Sequence, residues 1–409
     1  MIARKDAAGA RRTGAHPGYL AAALVFAVGM AGTTLPTPLY GLYQEQIGFS
    51  ELMVTVVFAV YAVAVIAVLV LAGNYSDAVG RRPVLLVAMG LSAASAGCFL
   101  LEAGLPLLFA GRVLSGGAAG LLSGAATAAV LELAGPEQKG RAGFAATAAN
   151  MGGLGCGPLL SGVLAQYTSH PLAWPFWIHL GLVAVAAAVT WSLPETVEHP
   201  RRWPPLRPQG LRVPPEVKGV FGTAALAAFA GFSLLGLFTA VAPSFAAQTL
   251  GVTDHAVAGA VVFSVFAAST AGQSLTQRLG ASRALPAGCG VLVVGLALVG
   301  SSLLAESLAL LVLGAVFGGV GQGLAFRAAL TLVSGAAPAE HRGGTISAFF
   351  TVAYLGISLP VVGVGALAVR LGLRTAGLVF AGCVILLAAG AGLYTALRPA
   401  GEQRQAAGR

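Results

Sequence analysis

The chain alternates long apolar stretches with short polar ones, and each apolar stretch is about as long as a bilayer is thick. A helix rising 1.5 Å per residue needs roughly twenty apolar residues to cross the hydrocarbon. The pattern predicts such helices near 19–41, 52–72, 83–101, 105–133, 142–166, 173–193, 219–242, 256–277, 284–304, 307–334, 343–368 and 374–397. Backbone polar groups in lipid must be satisfied internally, which a helix does and an irregular segment does not. The expected fold is an all-α membrane protein with 12 transmembrane helices.

Composition supports that solvent. Of 409 residues, 57% are hydrophobic and 9% charged, whereas a soluble domain carries roughly 25% charged residues. The 57 glycines would weaken helices in water, but in lipid they let backbones approach closely. Cys98, Cys156, Cys289 and Cys383 lie inside apolar segments without metal or pairing spacing and read as packing residues. The first apolar run is a full span long, and Thr33-Thr34-Leu35-Pro36 is no cleavage site, so it reads as helix 1 rather than a leader.

Charge fixes the expected orientation. The N-terminal tail carries Arg4, Lys5, Arg11 and Arg12. With that tail in the cytoplasm, Arg81, Arg82, Lys139, Arg141, Arg278, Arg283 and Arg342 fall on the same side. So do Arg201, Arg202, Arg207, Arg212 and Lys218 of the middle linker and Arg398, Arg404 and Arg409 of the C-terminal tail. Only Arg370 and Arg374 fall outside. The positive-inside bias then places both termini in the cytoplasm and demands an even number of spans. It also accounts for the net charge of +9 without nucleic acid as a partner. Arginine far outnumbers lysine, which suggests a GC-rich bacterial genome and an inner, cytoplasmic membrane.

A linker rich in proline and arginine divides the chain. The expected organisation is a tail at 1–18, a six-helix bundle at 19–194, a cytoplasmic linker at 195–218, a second bundle at 219–397 and a tail at 398–409. Gly116-Gly117, the Pro136 loop and Pro158 recur as Gly318-Gly319, the Pro338 loop and Pro360, each displaced by 202 residues. Three matches in one register argue for duplication, and repeated halves around a shared site are a transporter architecture.

Between helices 2 and 3 stands Gly73-Asn74-Tyr75-Ser76-Asp77-Ala78-Val79-Gly80-Arg81-Arg82, a GxxxDxxGRR pattern. It closely resembles the signature loop of the major facilitator superfamily. The resemblance implies two pseudo-symmetric six-helix bundles (the major facilitator fold), with this loop latching the halves in an outward-open state. The second half keeps only Gly280-Ala281-Ser282-Arg283, with no acid at the position of Asp77. In helix 4, Arg112 followed by Gly116, Gly117 and Gly120 is similar to the family's helix 4 motif. In helix 5, Gly153, Gly157, Pro158 and Gly162 match the antiporter motif of the family's 12-helix drug/proton exporters, except that Ser161 replaces a glycine.

Arg112 lies about two turns inside helix 4, where a charge is costly and functional by default; a snorkelling arginine is the alternative. Arg327, in helix 10, could bind substrate, pair across the bundle or reach the surface. No Asp or Glu lies in the middle of a predicted helix. Many cationic-drug exporters of the family it resembles carry an acid in helix 1, where this chain has Thr33, Thr34 and Thr37; that departure disfavours cationic cargo and favours neutral, zwitterionic or anionic amphiphiles facing Arg112 and Arg327. His179, Asp254, His255 and Glu132 are candidate proton carriers. Glu132, Arg141 and Glu195 are expected in one cytoplasmic charge cluster with Arg81 or Arg82. A midplane cavity lined by helices 1, 4, 7 and 10 could draw on Tyr40, Phe232, Phe238 and Gln322.

No Walker A sequence, metal-ligand cluster or nucleophile-and-base arrangement is present, so neither enzyme activity nor a cofactor is expected. The leading expectation is a monomeric exporter, antibiotic efflux among its uses, that exchanges protons for small amphiphilic molecules by alternating access. A proton symporter importing a nutrient is the second, and a non-transporting membrane receptor the third.

Overall fold

A computed structural model describes residues 18–101, 104–198, 211, 213–338 and 340–397. The N-terminal tail, most of the linker with Arg201, Arg202, Arg207 and Arg212, and the C-terminal tail lie outside the described residues. Twelve long helices form two groups of six. The first holds α1 (Gly18–Thr34), α2 (Glu51–Ala72), α3 (Arg81–Leu100), α4 (Leu105–Glu132), α5 (Lys139–Tyr167) and α6 (Trp174–Ser192). The second holds α7 (Lys218–Ala240), α8 (His255–Leu279), α9 (Ala281–Ala305), α10 (Leu308–Ala336), α11 (Arg342–Leu371) and α12 (Leu373–Leu397). Among the described residues, eleven spans, the first running Gly18–Ile47, are long and apolar enough to cross a membrane. The exception is α5, whose 29 residues are long enough but diluted by glycine, serine, threonine and asparagine.

Helix 1 departs from its expected course. It stops at Thr34, passes through a 3₁₀ turn at Thr37–Leu39 and resumes as Tyr40–Ile47. Pro36 and Pro38 carry no backbone N–H, so an unbroken ladder is impossible there. The equivalent helix of the second half breaks likewise at Val241 and resumes as Ala242–Gln248, with Pro243 in its first turn.

The duplication is visible in the packing. A Cβ at Gly116 of α4 would strike the carbonyl oxygen of Tyr61 in α2, and one at Gly319 of α10 would strike that of Val265 in α8. Each half thus seats one helix on another through a glycine, where lipid offers no hydrophobic drive for association. The outer surface carries exposed Leu, Val and Trp, including Trp174 and Trp177 at one end of α6 and Trp191 at the other. That is the placement of interfacial anchors. Cys156 and Cys383 are also exposed, so unlike buried Cys289 they do not serve interior packing.

Candidate functional site

The two halves meet differently at their two ends. At the end away from the loop between α2 and α3, α5 lies backbone to backbone on α8. A Cβ at Gly162 would strike the carbonyl oxygen of His255, and one at Gly259 that of Pro158. On the other flank, Gly365 of α11 rests on Thr55 of α2. Polar clasps reinforce the contact: the His255 amide donates to Gln166 at 3.0 Å, Gln248 Nε2 to Glu51 at 2.6 Å and Ser244 Oγ to Glu51 at 3.3 Å.

At the basic end the halves part around a cavity of about 480 Å³. Its lining starts at Thr33 and Arg112 and continues to Leu131 and Ser334, in the last turns of their helices, and to Gly143 and Ile346, near the starts of theirs. The walls come from α1, α2, α4 and α5 on one side and from α7, α8, α10 and α11 on the other. This is twice the set of helices expected. Glycine-rich α5 approaches closely enough to contribute Asn150, Met151 and Leu154.

Arg112 has no solvent exposure. That rules out a snorkelling side chain. Its Nη1 donates to the Thr33 carbonyl at 2.6 Å. Three rings face the guanidinium: Tyr61 at 4.8 Å, Phe58 at 5.3 Å and Tyr40 at 5.9 Å. Its Nε and Nη2 have no protein partner. Ring faces attract a cation but leave those N–H groups without an acceptor. Across the cavity the second half presents a cluster of aromatic rings, with Phe232 and Phe326 5.1 Å apart and Phe326 and Phe350 5.9 Å apart. Arg327 lines the same cavity nearer its mouth and makes no ion pair among the described residues. No Asp or Glu is among the lining residues described.

The other expected site residues divide between the cavity and the interior. Phe232 lines the cavity, whereas Phe238 is fully buried behind it. Tyr40 flanks Arg112 from behind the wall. Gln322 is buried, accepts from Ser269 Oγ at 2.6 Å and packs on Gly231. His179 is buried between α3 and α1, with Nε2 3.0 Å from Ser92 Oγ and its ring against Gly32, away from the cavity. Asp254 caps α8 by accepting from the amides of Ala256 and Val257.

In α5, Gly153 and Gly157 lie on α1, against the carbonyls of Ala27 and Ala31. Pro158 cannot donate to the Leu154 carbonyl one turn back. Thr34 Oγ1 donates to that carbonyl instead, at 2.8 Å. Ser161 turns its hydroxyl onto the Gly157 carbonyl at 3.0 Å.

At the basic end, Arg81 pairs with Asp77 and with Glu132 at 2.8 Å. Glu195 accepts from the amides of Arg81 at 2.8 Å and Arg82 at 3.0 Å. It thereby caps the start of α3. Gly80, with φ +115°, makes the turn, and a Cβ there would meet the Glu195 carboxylate at 2.5 Å. Thr196 also donates to Glu132, and Arg82 lies over the Trp191 ring at 4.7 Å. Arg141, expected in this cluster, is exposed and forms no ion pair among the described residues. It sits on the turn opening α5, away from the carboxylates that α4 and the segment after α6 supply. The side chains of Asp77, Arg81 and Arg82 thus find their partners within the first half.

Sequence reasoning missed Asn150, whose buried Oδ1 has no protein partner beside the cavity. It also missed Tyr61, Tyr354 and Gln273. A lone asparagine in a helix of small residues was the available signal.

The model of the Major Facilitator Superfamily matches residues 22–360, and the chain belongs to that family. It is a multi-pass membrane transporter. No curated protein matches it by sequence. Among solved structures, it is similar to a bacterial homologue of the human lysosomal transporter Spinster, inward-facing and unoccupied, with TM-score 0.71, 16% identity and coverage of 95% of this chain and 98% of that one. It is similar also to the human organic anion transporter MFSD10 (TETRAN), with TM-score 0.66, 18% identity and coverage of 92% and 98%. A D-xylose–proton symporter matches with TM-score 0.69, 15% identity and coverage of 92% and 96%. Likeness at these identities establishes the shared fold.

Proposed function

We propose that the protein exports small amphiphilic compounds across a bacterial inner membrane, in exchange for protons, by alternating access. The carrying observation is the cavity between the halves, open at the basic end, closed at the other, and walled by aromatic rings with a few polar groups. That is the composition of a site for a partly apolar small molecule. The positive-inside rule assigns the basic end, and with it both termini, to the cytoplasm. Cargo then enters from the cytoplasm in the state described. Transport requires the α5–α8 and α2–α11 contacts to part while the basic ends converge. In the present state the loop between α2 and α3 turns its charges inward on its own half, and it becomes free to meet the second half as the cytoplasmic ends close.

Export and proton exchange are supported by the glycine–proline pattern of α5, which resembles the antiporter motif and whose Pro158 and Gly162 lie on α8 at the contact that must open. The test is dissipation of an imposed pH gradient in everted membrane vesicles, with antibiotics, dyes and metabolites added singly to wild type and Arg112→Ala. A compound that dissipates the gradient in wild type alone supports the reading. Silence across a broad panel, with a metabolite instead entering right-side-out vesicles together with protons, replaces it by symport.

A further inference from the structure

Granting that the cavity takes amphiphiles, we infer that its cargo carries an anionic end group, a carboxylate or sulfonate, which seats on Arg112 while its apolar body lies on the aromatic wall of the second half.

The charge balance of the cavity comes first. Its described lining holds two guanidinium groups and no carboxylate. A buried charge is ordinarily paired, yet Arg112, wholly enclosed, has only the Thr33 carbonyl and the faces of three rings. The site is therefore electropositive in surroundings of low dielectric. A second cation is repelled, and an anion supplies what the protein does not.

The geometry of the free donors adds chemical detail. Nη1 is taken by Thr33, and the unpartnered nitrogens are Nε and Nη2. These two share one edge of the planar guanidinium. That edge presents two parallel N–H groups and matches the two oxygens of a carboxylate or sulfonate in a bidentate pair. A lone carbonyl or hydroxyl offers the pair a single oxygen and no charge.

The division of the walls accounts for the rest of the molecule. The enclosed Arg112 stands on the first half, whereas Phe232, Phe326 and Phe350 stand opposite, beside Gln273 and Tyr354 of the second half. A ligand spanning the cavity then meets a cation at one end and rings at the other. Arg327 belongs to the approach. It lies twelve residues further from the closed end of its helix than Arg112 does, roughly 18 Å of rise. One small anion cannot bridge both, so Arg327 draws the anion in at the mouth and Arg112 holds it.

The test compares three probes of one shape, 2-naphthalenesulfonate, 2-naphthylmethanol and 2-naphthylmethylammonium, by equilibrium binding to the purified full chain in nanodiscs. The sulfonate is expected to bind about tenfold or more tighter than the alcohol, the worth of one charge-assisted pair, and the ammonium weakest. Arg112→Gln should remove most of the sulfonate's advantage over the alcohol. Arg112→Lys, which keeps the charge but not the fork, should fall between. Arg327→Gln, at a half-exposed site, should lower sulfonate binding and its salt dependence while sparing the alcohol, and it serves if the Arg112 variants do not fold. If the alcohol or the ammonium binds as tightly as the sulfonate, the anion assignment is wrong and the amphiphile reading survives. If none of the three binds, both fall.

Discussion

Gly162 is where one methyl group should move the whole molecule. Its Cβ would fall on the His255 carbonyl oxygen and 3.2 Å from Gly259 Cα. Ordinary contact requires about 3.5–4.0 Å, so α5 and α8 must part by about 1 Å at the closed end. Overpacking of this kind costs about 1–3 kcal/mol. In Gly162→Ala the cost falls only on the state in which these helices touch. The equilibrium should therefore shift about 5–150-fold toward the state open at that end. Alanine also strengthens a helix by about 1 kcal/mol over glycine, but equally in both states. Gly152 of the same helix has no atom near its Cβ position, so Gly152→Ala is the control. Spin labels at exposed Ser169 and Thr253, on either side of the contact, would report the distance by double electron–electron resonance. Wild type and Gly152→Ala should give mainly the short distance, and Gly162→Ala a new, longer population. An unchanged distribution in Gly162→Ala would refute the claim that this glycine contact holds the closed end shut.

Four further outcomes follow from the same structure. Glu51→Ala removes the acceptor of Gln248 and Ser244 and should also lengthen the Ser169–Thr253 distance, by a smaller population; no lengthening would assign the closure to the glycine contacts alone. Thr34→Val should lower thermal stability by about 0.6–1.7 kcal/mol, because the Leu154 carbonyl loses its donor. In a Pro158→Ala background the restored backbone N–H should make the same change nearly silent, and an undiminished loss would contradict that bookkeeping. Glu195→Ala should cost about 1 kcal/mol through the lost cap and speed hydrogen exchange at the Arg81 and Arg82 amides, whereas unchanged exchange there would contradict the capping role. His179→Gln should keep gradient-driven transport, since the ring lies off the cavity; a folded variant that loses the gradient dependence would return His179 to the proton path.

The spans were legible because lipid forces roughly twenty apolar residues per crossing, and the halves because Gly116, Pro136 and Pro158 recur at one spacing. The breaks after Thr34 and Ala240 were written in Pro36, Pro38 and Pro243, but a run that stays apolar hides them. Which face of a helix borders the cavity was not legible. Lipid and protein interior are equally apolar, so a membrane helix has no amphipathic stripe to betray its neighbours. His179 therefore looked as available as Arg112, and Phe238 as available as Phe232, although one of each pair lies behind the wall. The side-on edge of Arg112 depends on the turn of α1 that brings the Thr33 carbonyl across 79 positions of sequence. Thr34 meets Leu154 across 120. Such pairings belong to packing alone.

The cavity is proposed to carry an amphiphile outward, driven by a proton gradient. The most direct measurement is accumulation of radiolabelled 2-naphthalenesulfonate in everted vesicles whose lumen is acidified, with and without a protonophore. Such outward carriage should give accumulation that the protonophore abolishes and that Arg112→Gln lacks. Accumulation indifferent to the gradient, or found only in right-side-out vesicles, would contradict it.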